Sequence, residues 1–423
     1  MHTNEFSNKY RNYVLTMLTL VYVFNFVDRQ LIVILQESIK KDLKLSDTQL
    51  GLLSGFTFAI FYVTLGIPIA RFADRSNRRN TVTVSLALWS IMTTLSGLAK
   101  NFIQLLLARI GVGIGEAGGS PPAHAMISDY FPPEKRSTAL SVYSTGIYFG
   151  LLTGFLMGGY LNQYLGWRTA FFIVGIPGVL FSLLFYASVK EPRKGATDVD
   201  KTTAGTLSVG KVLKHLYSTN TFLYLALATG LHVFCIYGLL NWAPSFLARL
   251  HGIKNSEIGA LLGPIFGFGG AIGSFAGGFL TDQFGKRDKR WYLKLPACAV
   301  ILSVLSAAGA LFLRNTAASL ICWGCCAFLQ STYLGPSIAV AHSLVPASMR
   351  SLTSAVLFLV LNLIGLGLGP LVVGIISDQL TPGLGNESLR WAMSITIVVG
   401  LVSAILFFIS AKKLAIDLKL KPN

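Results

Sequence analysis

The chain has 423 residues, of which 53% are hydrophobic and 13% charged, with a mean hydropathy of +0.61. Soluble domains carry about a quarter charged residues, so these figures exclude an ordinary soluble enzyme, a disordered chain and a disulfide-stapled secreted domain. The net charge of +17 is not a nucleic-acid footprint either, because the cations punctuate oily runs instead of covering a polar surface.

A helix needs about 20 apolar residues to cross a hydrocarbon core. Twelve runs meet that length: 12–36, 49–70, 81–99, 102–124, 138–162, 169–188, 220–247, 258–281, 295–313, 317–342, 352–377 and 391–411. They are continuous rather than alternating, which excludes a β-barrel and leaves helices, whose backbone groups are satisfied internally. The predicted class is an all-α integral membrane protein with 12 transmembrane helices. Residues 1–11 are polar and no A-x-A site follows, so no cleavable signal peptide is expected. Of the 35 Lys and Arg residues, 24 fall on the side that holds both termini. By the positive-inside rule that side is cytoplasmic, which predicts a multi-pass protein of the cell (inner or plasma) membrane with both termini inside.

Along the chain, span one carries Asn25-Phe-Val-Asp28-Arg29. After span two comes Ala70-Arg-Phe-Ala-Asp74-Arg75-Ser-Asn77-Arg78-Arg79, and span four carries Arg109-Ile-Gly-Val-Gly-Ile-Gly115-Glu116-Ala117. Charges inside lipid cost roughly 2.5–3.5 kcal/mol each and by default mark a functional cavity. At about 1.5 Å per residue, Asp28 and Arg109 lie at similar depth and Glu116 sits roughly 10 Å further inward on the same face as Arg109. The bland alternative is a static ion pair that staples helices. Gly113-x-Gly115-x-x-Gly118 matches the dinucleotide fingerprint, yet it follows no strand, so it is read as close helix packing. Gly146, Gly150, Gly154 and Gly158 form a small-residue stripe on span five.

The linker at 190–218 is the long polar stretch, and it separates a bundle at 1–189 from one at 219–423. Span seven holds Tyr237 and Asn241, span ten Gln330 and Tyr333, and span eleven Asn362, all candidates for lining a pocket. The five cysteines all fall within spans and Cys322-x-x-Cys325 lacks acidic or His company, so packing is expected rather than redox or metal chemistry. His124, His232 and His342 are read as hydrogen-bonded packing residues. No metal or cofactor constellation and no catalytic triad is visible, which argues against an enzyme.

Landmarks recur across the linker. Gly51 and Gly259, like Asp74 and Asp282, are 208 residues apart, while Pro122, Pro132 and Arg136 are matched 214 residues later by Pro336, Pro346 and Arg350. Two six-helix repeats in one orientation imply a pseudo-twofold along the membrane normal and a binding site between the halves.

This arrangement resembles the major facilitator superfamily. The loop after span two is similar to the family's G-x-x-x-D-R-x-G-R-R, with Ala70 and Asn77 at the two glycines, and Gly278-Phe-Leu-Thr-Asp282-Gln-Phe-Gly285-Lys286-Arg287 keeps both. The resemblance assigns Asp74, Arg75, Arg78 and Arg79, with Arg136 as partner, and Asp282 and Arg350 in the second half, to a cytoplasmic gate. The bland alternative is a set of charges that only fixes topology. The motifs of spans one and four resemble the N-Y-x-D-R and R-x-x-x-G-x-G-E-A of Spinster-like transporters, with Phe26 in place of Tyr as a mild departure, and the resemblance is to a bacterial-type homologue. That resemblance implies lysolipid or sphingolipid-related substrates, and it places spans one and four beside the cavity.

The chemistry of the buried quartet points to proton coupling. Burial favours a neutral acid and a nearby guanidinium favours the carboxylate, so a modest shift of Arg109 loads or releases a proton at Asp28 or Glu116. Glu116 is favoured because fewer cations are its sequence neighbours. A cavity charged on one half and apolar or aromatic on the other suits an amphiphile. The expected function is a monomeric secondary transporter working by alternating access. Its expected partners are a small amphiphilic substrate, protons and membrane lipids, with no nucleic acid. The alternatives are a transporter of small organic anions or drugs on the same fold, and more remotely a lipid scramblase or membrane enzyme.

Overall fold

The computed structural model describes residues 6–193, 209–346 and 349–418. The described residues form helices joined by short turns, with no strand among them. By length and composition, nine stretches among the described residues are able to cross a membrane. Two of these, Glu134–Ser188 and Leu352–Asp417, are long enough for two crossings each. Arg78–Ser96, expected as span three, is a helix less apolar than those nine.

Span one is the helix Asn8–Leu43, capped by the Ser7 hydroxyl on the Tyr10 amide and ended by Lys44 in the left-handed region. Span two is the run 47–75, in which the π-helical turn Leu52–Phe56 separates Asp47–Gly51 from Thr57–Arg75. Spans five and six lie in Pro133–Ser188, where Gly166, at φ 78°, turns the chain as only glycine does without strain. Span eleven, 350–384, contains a second π-helical turn at Leu361–Leu368.

The repeat read from the sequence is also a repeat of local structure. Span four breaks into Phe102–Glu116 and Ser120–Tyr130, and span ten into Thr316–Gln330 and Leu334–Ser343. Asn101 and Asn315 cap the first segment of each, with side chains that accept from Gln104 and Ala318 amides. The caps, the helix starts and the break after Glu116 and Gln330 keep the offset of 214.

The described residues fall into two compact units. One comprises those of Met1–Leu45, Thr57–Thr202 and Ile253–Gly263, the other those of Ser46–Phe56, Thr203–Gly252 and Pro264–Asn423. Two short segments, 46–56 and 253–263, therefore pack with the unit opposite to their place in the sequence.

In the first unit, the glycine stripe of span five lies on span one. A Cβ on Gly150 would fall 2.4 Å from Phe26 Cβ, and one on Gly154 2.9 Å from Gln30 Cβ. In the second unit, the linker helix Val209–Ser218 docks through Val212 and Leu216 onto a core that includes Leu293, Ala341 and Phe407.

Overpacking a tight helix contact costs about 1–3 kcal/mol. Gly150→Val is accordingly expected to lower the melting temperature in detergent. Gly324→Ala is the contrast, because a Cβ there meets nothing within 4 Å, and it is expected to leave melting unchanged or slightly raised. Equal melting of the two variants would contradict the packing argument.

Candidate functional site

The four buried charges resolve into two pairs in the first unit. Arg109 Nη1 lies 3.3 Å from Asp28 Oδ2, with side chains 1% and 2% exposed. Arg29 Nε lies 2.7 Å from Glu116 Oε2, and Glu116 has no exposure. Glu116 thus has a cation directly upon it, although none is near it in sequence. The partner comes from span one. Among the described residues its other oxygen, Oε1, is buried without a hydrogen-bond partner.

Each pair has further support. Thr93 Oγ1, from span three, donates to Asp28 Oδ1 at 2.6 Å and also lies 2.8 Å from the Trp89 carbonyl. The Arg29 guanidinium is caged by Phe26, Phe58 and Tyr62, whose ring centres lie 5.1, 4.7 and 5.0 Å away. Cation–π contacts of this kind strengthen when desolvated. Arg29 is held by the rings and the carboxylate at once. Gly113 and Gly115 pack span four against Phe58 and Trp89, as the packing reading of the glycine motif requires.

In the second unit, Asn241, Gln330 and Tyr333 are buried and Tyr237 and Asn362 are half-buried. His232 Nε2 bonds the Gln330 carbonyl at 2.9 Å and its ring stands edge-on to Tyr333. His342 bonds Ser354. His124 is exposed, and its ring meets Tyr143 edge-on. At the offset of 214, Gln330 occupies the place of Glu116 and Trp323 that of Arg109. The scaffold is duplicated while the charge is not. A groove of about 560 Å³ beside spans three and four is lined by Met92, Leu95, Lys100, Gln104 and Leu107.

The gate candidates have specific partners. Arg78 pairs with Asp129, and Glu191 accepts from the Arg78 and Arg79 amides at 3.0 and 2.7 Å, capping the helix that they begin. Arg136 Nε donates to the Phe131 carbonyl. Arg75 and Arg350 are exposed. The Asp74 side chain, and with it the expected pairing to Arg136, lies outside the described residues. Asp282 accepts from the Tyr292 hydroxyl at 2.7 Å. Nearby, partial burial pushes the Asp288 carboxyl up, but hydrogen bonds from Arg290 and Lys294 outweigh it and hold it below the usual carboxylate range.

The sequence matches the model for the Major Facilitator Superfamily over residues 18–363. The chain belongs to the Major Facilitator Superfamily. A bacterial homolog of the human lysosomal transporter Spinster, crystallised inward-facing and unoccupied, is similar to it with a TM-score of 0.90 at 32% identity, over 97% of this chain and 99% of that one. An MFS-type efflux pump of Mycolicibacterium smegmatis is 35% identical over 406 residues, covering 95% of this chain and 93% of the pump. Protein spinster homolog 1 of Xenopus laevis is 28% identical over 438 residues, covering 95% and 81%. Within the superfamily the chain is Spinster-like, and it is a multi-pass membrane transporter, not an enzyme.

This facilitator holds one further polar network, in its second unit, that sequence reading passed over. Asp47, which follows the Ser46 cap at the start of span two, is fully buried and takes both Arg249 Nη atoms at 2.7 Å. Ser377 donates to Asp47 Oδ2, and Asp378 accepts from the Asp47 and Thr48 amides at 2.9 and 2.7 Å. The partners lie about 200 and 330 positions away, beyond the reach of local motifs, and the available signal was only an acidic residue at the end of an apolar run. The cysteines are free, and Cys298 and Cys325 are exposed on helix surfaces where packing was expected.

Breaking a buried ion pair leaves an uncompensated charge, at about 3–5 kcal/mol. Arg109→Ala is therefore expected to lower the melting temperature sharply. Adding Asp28→Asn removes the stranded charge and is expected to recover much of the loss. A single variant that melts with the parent would show that the pair bears little of the structure's stability.

Proposed function

We propose that the protein is a proton-coupled secondary transporter of an amphiphilic, lipid-like substrate such as a lysolipid, working by alternating access. In this reading two six-helix halves, 1–189 and 219–423, rock about a site between them while the 190–218 linker joins them on the cytoplasmic side. Both termini face the cytoplasm of a cell carrying the protein in its inner or plasma membrane, and the unit of transport is the monomer. The observation that carries the proton step is Glu116 Oε1, a fully buried carboxylate oxygen without a partner while its twin is held by Arg29. In this reading the proton binds at Oε1 as Arg29 leaves Oε2. Asp28, held by Arg109 and Thr93, sets the position of span four against span one. The gate of Asp74, Arg75, Arg78, Arg79 and Arg136, with Asp282 and Arg350, closes the cytoplasmic end.

The lipid-like substrate is supported by the uneven halves, charged in the first and neutral or aromatic in the second at Tyr237, Asn241, Gln330, Tyr333 and Asn362. Likeness to Spinster homologues supports it as well. A second reading, export of small organic anions or drugs, is favoured by the similarity to an efflux pump and by two buried guanidiniums that suit an anionic group.

The test is transport of lysolipids into proteoliposomes under an imposed pH gradient. Glu116→Gln is expected to keep exchange without a gradient and to lose gradient-driven accumulation by roughly 5–150-fold, the range of an ordinary coupling free energy. Retained pH-driven transport would remove Glu116 as the proton carrier. Transport of organic anions but not lysolipids selects the second reading, and lipid movement indifferent to gradient and gate selects a scramblase.

A further inference from the structure

We infer that the exposed side of span three binds one anionic, two-chain phospholipid, its chains in the furrows on either side of that helix and its headgroup at Lys100. The inference concerns a resident lipid, not a transported one, and it stands apart from the proposed function.

Span three presents a ridge of Ile91 and Leu95, one turn apart, continued by Leu98 in the turn that follows, and all three are exposed. A furrow runs along each side of it. Towards span four lies the groove of about 560 Å³, with Ala99 and Ala108 as its small, buried floor. Towards span six lies another of about 210 Å³, lined by Ile91, Thr94, Ile176, Val179 and Leu180, and Leu95 borders both. Met92 marks the inner end of the larger furrow, packed so closely on span four that a Cβ on Gly111 would fall 2.6 Å from its sulfur. From Met92 to Lys100 is about 12 Å at helical rise, close to half of a hydrocarbon core about 30 Å thick. Chains laid along Leu95 therefore reach one leaflet deep and leave their headgroup level with Lys100.

The mouth supplies the complementary charge. Lys100 is exposed and in no ion pair among the described residues. Its amide donates to Gln104 Oε1 at 2.8 Å, which turns the two Nε2 donors of Gln104 to another acceptor. Arg168 holds the Ala99 carbonyl at 3.1 Å but is engaged by Asp42, so Lys100 is the cation left for a ligand. No acidic residue lines either furrow. A phosphate that carries a net charge is favoured there over a zwitterionic headgroup, which brings its own ammonium. The two helices also bring Thr93 and Arg109 to Asp28, from the residues next to Met92 and Ala108, so an occupant packs behind the grip on that acid.

The duplicated scaffold supplies an internal control. At the offset of 214, Arg314 takes the place of Lys100, while Leu313 stands for Ala99, Ala318 for Gln104 and Cys322 for Ala108. The cation is repeated; the small floor and the amide are not.

The experiment titrates delipidated protein in detergent with phosphatidylglycerol or phosphatidylcholine of identical chains. Native mass spectrometry reads the dissociation constant of the tightest lipid. Phosphatidylglycerol is expected to bind roughly fivefold more tightly, as one lysine at an anionic surface provides. Lys100→Gln is expected to erase that preference and Arg314→Gln to keep it. Leu95→Trp, at an exposed position that leaves folding intact, is expected to weaken both lipids by filling the two furrows. Single-chain lysophosphatidylglycerol is expected to bind the parent more weakly than the two-chain lipid. Equal affinity for the two headgroups, a preference that survives Lys100→Gln, or one lost equally in Arg314→Gln would overturn the headgroup site. Unaltered binding in Leu95→Trp, or a lysolipid as tight as its two-chain form, would overturn the furrows as the seat of the chains.

Discussion

A charge inside a helix bundle in lipid has no water to fall back on, and the rest of this structure depends on how that constraint is met. Asp28 and Arg29 are neighbours on span one, separated by about 1.5 Å of rise, while their partners Arg109 and Glu116 are two turns apart on span four, roughly 10 Å along the axis. The two pairs therefore diverge from one point, and the long arginine side chains make up the difference. Such an arrangement sets the register of two helices, with Arg29 packed on three rings as it reaches Glu116. The two pairs are also unlike in kind. Asp28 is doubly held, by a guanidinium and a hydroxyl, whereas Glu116 is held on one oxygen only.

Duplication repeats the scaffold and spares the chemistry. The broken helices of spans four and ten match residue for residue in their caps and breaks, yet Glu116 and Arg109 are answered by Gln330 and Trp323. A structural feature constrained by backbone geometry survives in both copies, because the fold of each needs it. A buried charge, expensive wherever it is placed, is kept only where something other than the fold requires it.

How much of this was legible follows the range of each signal. Apolar runs, the interrupted repeat and the intramembrane charges are local or periodic, and they led to helices, a duplicated architecture and the residues of the quartet. Pairing is not local. Arg29 is the chain neighbour of Asp28, and the structure gives it to Glu116. Phe58 and Tyr62 read as ordinary apolar residues of span two, and only the approach of span one turns them into a cage. Asp129 and Glu191, the carboxylates that engage Arg78 and Arg79, carry no motif of their own. Asp47 misled in the opposite way, since a serine and an acid before an apolar run are a sound helix-start signal. The capping box is present, and it masked a second role for the adjacent carboxylate.

The exchanged helix start has a consequence for biogenesis. Residues 46–56 find their seat on a stretch of span eleven around Pro370 to Asp378, more than three hundred residues downstream. During synthesis the beginning of span two thus emerges with its glycines and Asp47 unmatched, and it waits for nearly the whole chain before the seat exists. Closure of so long a loop is slow even where its entropy grows gently with length. The interval is one in which a buried-to-be acid stands without its arginine, and the insertion machinery or the lipid headgroups must tolerate it until the final helices arrive.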